Sequence, residues 1–358
     1  MRFYKKKHRY YCGVDLHTRR MYVCIVNHEG ETLVHRNIPA KAADFLKIIE
    51  SYREDLAVAA ECMFTWYWLA DVCVESDIEF VLGHALYMKA IHGAKTKNDR
   101  IDSEKIAALL RGGYLPIAYV YPARMRSTRD LLRRRTFLVR KRAEILGHIQ
   151  NTNSQCNLPE FGKKLAYKAN REQLNVAERF TDAAVRRNVE VDLTLLDHYD
   201  PLITQLELDL ARSAKVHNAQ MFFLLRSIPG VGKILALVIM YEIYDIGRFD
   251  AVGKFISYAR LVKCRKTSDG KPAGKGGSKM GNVHLKWAFS EAVPLFMREN
   301  QDAKKFVARM EKKFGKGKAM SILAARLGRA VYWMLKRKEA FDVDLFFARK
   351  TRSSTKTR

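Results

Sequence analysis

The pattern of apolar and polar positions in the N-terminal region predicts an alternation of strands and helices. Strands are predicted at 10–17, 20–27, 31–38, 56–62 and 78–83, and helices at 41–53, 65–75 and 95–113. The last helix opens at KTKNDRID and places Ile106, Leu109 and Leu110 on one face. Three strands followed by helix, strand, helix, strand and helix is the element order of the ribonuclease H fold.

A long helical region rich in arginine and leucine follows. Helical periodicity runs from about 124 to 155, Pro159 interrupts it, and periodicity resumes at 174–188 and 191–216. This pattern predicts an antiparallel helical arm or coiled coil that binds nucleic acid, holds protomers together, or does both.

The remainder of the chain is predicted to be helical, with one glycine- and lysine-rich loop. Two apolar helices flank the tight turn PGVG, RFDAVGKFISYARLV is helical, the loop covers 264–280, and helices follow at 283–298, 301–313 and 318–338. The end of the chain is predicted to be a disordered basic tail. We therefore expect an α/β domain at 1–123, a helical arm at 124–218, an all-α domain at 219–340 and a tail at 341–358.

Charge indicates the kind of partner. Lys and Arg number 65 against 38 Asp and Glu, which gives a formal net charge of +27. Cations are concentrated at 1–10, 124–142 and 260–286, and these three clusters are expected to contact phosphates on separate surfaces. A ribosomal or membrane-surface role would also fit charge alone, but 48% apolar content favours a folded protein that binds a polyanion.

Cysteine usage and hydropathy indicate the compartment. The six cysteines include no CxxC pair and several lie in apolar runs, which favours reduced core cysteines over zinc sites or disulfides. There is no signal peptide and no run of 18 apolar residues. We expect a cytoplasmic, nucleoid-associated protein of a bacterium or archaeon that does not enter a membrane.

Four carboxylates stand where such an α/β domain would place metal ligands. Asp15 lies in the first predicted strand, Glu61 ends the fourth, and Asp99 and Asp102 are three apart at the start of a helix. Clustered carboxylates raise one another's pKa, and Mg²⁺, with Mn²⁺ as second candidate, relieves the repulsion. The alternatives are ordinary surface acids, and for Asp102 an N-cap of a helix beginning at Ser103.

Basic and glycine-rich motifs are the candidate nucleic-acid contacts. PGVG resembles a helix-hairpin-helix turn, in which Gly230 and Gly232 let the backbone approach a phosphate and Lys233 adds a charge, although an ordinary helical hairpin has the same pattern. Further contacts are expected from Arg133, Arg134, Arg135, Lys271, Lys275 and Lys279. Lysines beside a serine can also orient a scissile phosphate and stabilise an oxyanion.

Taken together, these motifs resemble the DEDD transposases, recombinases of the insertion-sequence-110 type. GVDLH, AAEC and KTKNDRIDSEKIA resemble the three acidic motifs, which assigns Asp15, Glu61, Asp99 and Asp102 as the DEDD set. SIPGVGKILALVI, RFDAVGKFISYARLV, TSDGK and GGSKMGNVHLKWAF resemble the C-terminal transposase domain. The resemblance covers about 10–340.

The resemblance implies a RuvC-like N-terminal domain and a catalytic serine that forms a phosphoserine link to DNA. It also implies a structured non-coding bridge RNA that pairs with donor and target DNA, and a homo-oligomer, dimer or tetramer, in which one site combines parts of two protomers. The serine role falls on Ser268, because the family serine stands shortly before a Gly-Lys-like pair. Ser278 remains a second candidate, since Asp269 departs from the family pattern.

The resulting hypothesis is DNA strand exchange in which metal held by the DEDD set polarises the scissile phosphate and Ser268 attacks it. A RuvC-like Holliday-junction nuclease is the first alternative, with the same carboxylates, water as nucleophile and no covalent adduct. A non-catalytic RNA-binding or assembly protein is the second, and would tolerate replacement of the carboxylates by Asn and Gln. If RNA performs the pairing, these residues do not encode the target site.

Overall fold

The chain forms two compact units in a computed structural model. The units are 1–123 and 124–358, and the structure describes residues 2–91, 98–262, 264–268, 271–276 and 280–348. The first unit is mixed α/β and the second is mostly helical, as the sequence predicts.

A five-stranded sheet forms the first unit. Its strands are β1 (Tyr10–Leu16), β2 (Arg20–Asn27), β3 (Thr32–Pro39), β4 (Leu56–Glu61) and β5 (Glu79–Gly83). The strand order is β3-β2-β1-β4-β5, with β1, β2 and β3 antiparallel and β4 and β5 parallel to β1. The helices are α1 (Ala42–Ile49), α2 (Trp66–Glu75), α3 (Ala85–Ile91) and α4 (Asp99–Arg111). Each predicted strand is present within two residues of its expected bounds, whereas α3 was not predicted.

Both faces of this sheet are covered by helices. Alternate residues of each strand point to opposite faces, so each face has its own set of contacts. On one face, Val14 and Ala60 pack against Phe45 of α1 and Leu69 of α2. On the other face, Tyr11, Ala57 and Ala59 pack against Ile106, Ala107 and Leu110 of α4. The second face is the one on which the candidate site lies.

The second unit contains nine helices and one strand pair among its described residues. They are α5 (Ala123–Gln155), α6 (Lys168–Gln173), α7 (Ala183–Arg226), α8 (Lys233–Ile243), α9 (Val252–Tyr258), β6 (Cys264–Ser268), β7 (Lys271–Gly276), α10 (Val283–Glu299), α11 (Gln301–Phe314), α12 (Lys316–Arg337) and α13 (Val343–Phe347). Its largest core is built on α8, which is buried from Leu235 to Ile243 and packs with α10 and α12.

The long helices α5 and α7 run antiparallel to each other. Arg135 is paired with Glu207, Arg142 Nε lies 2.5 Å from Asp200 Oδ1, and His148 Nδ1 lies 2.5 Å from Asp192 Oδ2. Residue numbers therefore rise along α5 as they fall along α7. With 33 residues, α5 is about 50 Å long.

The predicted bounds of the arm helices were wrong. A helical stretch of 44 residues, made of two helices that meet at a kink, covers most of the two segments expected at 174–188 and 191–216, and its first helix contains Pro201. The helix continues through the proline because Leu196, Ile203 and Leu210 keep one buried stripe on both sides of it. Its backbone leaves helical geometry only at Asn218. Between 174 and 182 the described structure is a short 3-10 turn at Val176–Arg179.

Two further predictions at the C-terminal end are corrected. The loop expected at 264–280 contains the antiparallel strand pair β6–β7, with Thr267 opposite Pro272 and Ser268 opposite Lys271. The tail does not begin at 341, because α13 follows and Phe346 is buried against Phe296, with ring centroids 5.6 Å apart. Aromatic burial holds this segment although the surrounding sequence is basic. Residues 349–358 lie outside the described part of the chain.

Within the described residues, no helix is both long enough and apolar enough to cross a bilayer.

Candidate active site

Gly13 allows α4 to cross the sheet at very short range. A Cβ atom at this position would lie 2.2 Å from the Ser103 carbonyl oxygen and 2.4 Å from the Ala107 nitrogen, both backbone atoms of α4. Only glycine permits this approach. As a result, the first turn of α4 lies next to the end of β1.

The first turn of α4 carries both Asp99 and Asp102. The helix begins at Asp99, and the Asn98 side chain caps it by accepting a hydrogen bond from the Arg100 N–H at 3.0 Å. Because Asn98 is the N-cap, the alternative reading of Asp102 as a helix cap is wrong. Asp102 is half-buried and lies 3.4 Å from Lys105 Nζ.

Asp15 is the next-to-last residue of β1 and Glu61 is the last residue of the neighbouring parallel strand β4, and both lie on the face that α4 covers. Val14 is paired with Ala60 in the register of β1 and β4, so Asp15 and Glu61 each follow the last pair by one residue. They share a face with Tyr11 and Ala59, since side chains alternate along a strand. Both carboxylates are half-buried.

His17 lies beside two of the carboxylates, and it was not among the residues predicted from the sequence. Its Nε2 lies 3.3 Å from Asp15 Oδ2 and 3.6 Å from Asp99 Oδ2. One ligand atom each from Asp15, His17 and Asp99 lies within 4.8 Å of the other two, while Glu61 and Asp102 are outside that group. The available signal was spacing: two positions after Asp15, a side chain at the strand end returns to the same face.

The electrostatic environment of Asp15 disfavours its charge. Burial raises the pKa of this carboxyl, His17 lowers it, and the nearby carboxylates of Asp99 and Asp102 raise it, with a net upward shift. A bound proton or a bound divalent cation would each relieve this combination of burial and repulsion. Carboxylate oxygens are ligands that suit Mg²⁺ and Mn²⁺.

The serine and lysine candidates of the second unit fall on the strand pair β6–β7. Ser268 is the last residue of β6 and is opposite Lys271, which is exposed. Lys275 lies in β7. Ser278 and Lys279 lie outside the described residues.

The PGVG turn has one feature that a phosphate contact would need and one that argues against it. Gly230 has φ +76°, and a Cβ there would lie 2.5 Å from the Leu295 carbonyl carbon, so glycine is required. Its N–H, however, donates to Glu299 Oε2 at 3.0 Å, and this internal carboxylate takes the place that was expected for a phosphate. Gly232 is the exposed N-cap of α8, and Lys233 behind it is half-buried.

Two of the three arginines predicted to contact nucleic acid have internal carboxylate partners. Arg133 Nε donates to Glu242 Oε1 at 2.8 Å, and Arg135 is paired with Glu207. These ion pairs explain part of the positive cluster at 124–142 as arm structure. Arg134 is exposed, with its guanidinium 5.3 Å from the centre of the exposed Phe137 ring.

Comparison with known proteins gives the family. Residues 12–156 match the model of the IS110-type DEDD transposases, described as "Transposase", and residues 223–308 match the "Transposase IS116/IS110/IS902 family". The transposase for insertion sequence element IS1111A of Coxiella burnetii (strain RSA 493 / Nine Mile phase I) is 23% identical over 339 residues, which span 92% of this chain and 90% of that protein.

The two matches contain candidate residues of both units. The first contains Asp15, Glu61, Asp99 and Asp102, and the second contains Gly230, Gly232 and Ser268. The chain therefore belongs to the IS110-type DEDD transposases, enzymes of DNA transposition that act on DNA.

Proposed function

We propose that this transposase cuts and rejoins DNA with Ser268 as the nucleophile and with a divalent cation held by the DEDD carboxylates. The observation that carries the proposal is the convergence of acidic groups on one face of the sheet. Asp15 and Glu61 come from adjacent strand ends, while Asp99 and Asp102 come from the helix that crosses at Gly13.

The donor set fits a divalent cation. Asp15, Glu61, Asp99 and Asp102 would hold it, and His17, which is 3.3 Å from Asp15, would add a nitrogen donor. We favour Mg²⁺, with Mn²⁺ as the second candidate. When bound, such an ion neutralises charge that builds up on the scissile phosphate and on the leaving oxygen. The same role is suggested by the family, and the raised pKa of Asp15 supports it.

Ser268 provides the covalent step of the proposal. Its hydroxyl oxygen forms a bond to phosphorus as the bond from phosphorus to the leaving DNA oxygen breaks, and the serine proton goes to that oxygen or to solvent. Strand exchange reverses this chemistry on the second duplex, so no external energy source is needed. Lys271, opposite Ser268 in the strand pair, would contact a phosphate. Ser278 is the other candidate nucleophile.

The remaining functional parts follow from the family resemblance and from charge. The first unit would be a ribonuclease-H/RuvC-like domain, and α5 and α7 would supercoil as a coiled-coil arm. A structured bridge RNA would pair with donor and target DNA, and protomers would assemble into a dimer or tetramer. Arg134, Gly232, Lys233, Lys271, Lys275 and Lys279 would contact nucleic acid. The net charge of +27 supports a polyanionic partner.

Metal binding by variants of the acidic cluster tests the proposal without requiring DNA. Mn²⁺ binding, measured by electron paramagnetic resonance, should weaken by about tenfold or more in Asp99→Asn and Asp15→Asn, because each loses an anionic ligand. Glu75→Gln is the matched control, since Glu75 is an exposed carboxylate of α2 in the same unit. Equal Mn²⁺ affinity in all three variants and the parent protein would contradict the metal assignment.

A further inference from the structure

Glu242 of α8 is a carboxylate with 1% of its surface exposed, at the centre of a charged network in the second unit. It accepts hydrogen bonds from Arg133 Nε at 2.8 Å, Arg129 Nε at 3.1 Å and Asn282 Nδ2 at 2.7 Å. Both arginines belong to α5, the first arm helix, and Asn282 directly precedes α10. One buried side chain therefore joins three helices.

Asn282 uses the two ends of its side-chain amide for different partners. Its Oδ1 caps α10 by accepting hydrogen bonds from the N–H groups of His284 and Leu285, at 2.9 and 3.0 Å. Its Nδ2 donates to Glu242 and also lies 3.3 Å from the Tyr258 hydroxyl. The cap and the link to Glu242 can therefore be separated by substitution.

The segment that carries Ser268 runs between α9 and α10, and its two ends, next to Tyr258 and Asn282, form its base. Backbone contacts around Asn282 hold these two ends together. The Asn282 N–H donates to the Tyr258 carbonyl oxygen at 2.6 Å, and Arg260 Nε donates to the Met280 carbonyl oxygen at 2.9 Å. Gly281 has φ +93°, and a Cβ there would lie 2.5 Å from the same Tyr258 oxygen. The end of α9 and the start of α10, which bracket β6 and β7, are thus held against each other.

A buried ion network of this kind is a poor way to gain stability alone. Well-packed apolar residues of similar volume often stabilise a core equally well, whereas charged groups with directional hydrogen bonds define one arrangement of their partners. Glu242 would need only one arginine to balance its charge, yet it binds two from α5 and an amide from the base of the Ser268 segment. This is the composition expected of a group that fixes geometry.

We propose that Glu242 is a positioning residue that fixes the base of the Ser268 segment to the arm helix α5 through Asn282. The functional part of this inference rests on Ser268 as the nucleophile, and its structural part does not. Glu242 itself touches no substrate in this account. Through its bond to Asn282 it fixes the point at which the chain enters and leaves the β6–β7 pair. Through its bonds to Arg129 and Arg133 it ties that point to α5.

The test replaces Asn282 while keeping the helix cap. Asn282→Ser retains a capping oxygen but removes the Nδ2 amide group that donates to Glu242, and the shorter serine side chain does not replace it. Asn300→Ser is the matched control, because Asn300 caps α11 through the Ala303 N–H at 2.8 Å. We expect Asn282→Ser to raise hydrogen–deuterium exchange of the β6–β7 backbone and to lower the rate of covalent DNA adduct formation, each by about tenfold. DNA affinity should match that of Asn300→Ser.

A rescue experiment separates positioning from general loss of stability. Asn282→Asp keeps the cap but places a second carboxylate beside Glu242, so it should slow adduct formation at least as much as Asn282→Ser. Adding Glu242→Gln restores one carboxylate and one amide to the network, with their places exchanged. We expect this double variant to recover much of the adduct rate, whereas two independent structural defects would lower it further.

The outcomes distinguish this inference from the proposed function. If Asn282→Ser behaves as Asn300→Ser does in both exchange and adduct formation, or if the double variant is worse than Asn282→Asp, the inference is wrong. If the parent protein forms no adduct, the serine mechanism fails, and the exchange measurement still decides whether Glu242 fixes the base of the segment.

Discussion

Asp15 is a residue whose charge opposes folding in the metal-free protein. Its pKa is raised above the ordinary value of 3.8 by burial and by the charges of Asp99 and Asp102, despite the opposing effect of His17. A carboxyl with a raised pKa binds its proton more tightly in the folded state. The stability of the fold therefore decreases as pH rises from the unfolded pKa through the raised folded pKa, and it stays reduced above it.

Asp15→Asn should consequently stabilise the metal-free protein at pH 7. Its melting temperature in EDTA should exceed that of the parent protein, and the difference should vanish below pH 3.8, where Asp15 is neutral in both states. Calorimetry at both pH values measures this, with Glu75→Gln as control. A lower melting temperature for Asp15→Asn at pH 7 would show that the Asp15 charge stabilises the fold.

Gly13→Ala should disrupt the unit that holds the acidic cluster. The new methyl group would meet backbone atoms of α4 at 2.2 and 2.4 Å, which a side-chain rotation cannot relieve. We expect a loss of about 1–3 kcal/mol or more in unfolding free energy, measured with urea, together with weaker Mn²⁺ binding. Gly147→Ala in α5, where no atom lies within 4 Å of the added Cβ, should be neutral or stabilising by up to about 1 kcal/mol. Equal effects of the two substitutions would show that a methyl group at position 13 is tolerated next to α4.

The sequence singled out the four carboxylates but not His17, which the structure places beside Asp15 and Asp99. Asp15, Glu61, Asp99 and Asp102 were found because carboxylates at strand ends and in a first helical turn have a recognisable spacing. His17 was passed over because a single histidine carries little information until the strand end places it beside Asp15. The internal partners of Arg133 and Arg135 were equally invisible, since an arginine that pairs with Glu242 or Glu207 looks the same in sequence as one that contacts phosphate.

Among the elements, α5, α8 and α10 depend on the charge state of Glu242. Burial alone would raise its pKa, but the hydrogen bond from Arg133, the charges of Arg129 and Arg133, and the hydrogen bond from Asn282 lower the pKa from 4.5 to about 2. A carboxyl with a lowered pKa contributes stability above its unfolded pKa. That contribution is lost as pH falls from 4.5 towards 2.

Glu242→Gln should therefore lower the unfolding free energy at pH 7 by about 3 kcal/mol and reduce the loss of stability between pH 4.5 and pH 2. Urea unfolding at a series of pH values measures both effects. Glu207→Gln, which removes the half-buried partner of Arg135 on the same arm, should have a smaller effect at pH 7. If Glu242→Gln lost as much unfolding free energy between pH 4.5 and pH 2 as the parent protein does, other carboxyls would control acid unfolding.

Element type was predictable where apolar periodicity was strong and less so where packing decides. The five strands were located within two residues because alternation and buried runs mark them directly. The continuity of α7 was missed, since Pro201 reads as a break unless the buried stripe on both sides is known to pack on one surface. The strand pair β6–β7 was missed because its glycines and lysines have low strand propensity. The helix α13 was missed because the burial of Phe346 depends on packing against α10, which the sequence pattern does not show.

Over the whole molecule, a net charge of +27 makes nucleic-acid binding strongly dependent on salt. If 6–10 phosphates are neutralised, affinity should fall by about 10³–10⁵-fold between 50 and 200 mM salt. Fluorescence anisotropy with a labelled duplex and with a labelled structured RNA measures the slope for each. Arg134→Ala should reduce the slope by about one charge, whereas Arg135→Ala should not. A flat dependence on salt would contradict a binding surface built from these cations.

The family and the mixed α/β and helical architecture were predicted from the sequence and are confirmed. The nucleophile is a prediction that rests on the position of Ser268 within a matched region. The most direct test of the central claim is a covalent-adduct assay with protein, element-encoded RNA, Mg²⁺ and labelled donor and target DNA, followed by denaturation. We expect DNA to be retained on the parent protein and on Ser278→Ala but not on Ser268→Ala. Cleavage without an adduct would contradict it and indicate water as the nucleophile, and an adduct that persists in Ser268→Ala would place the nucleophile elsewhere.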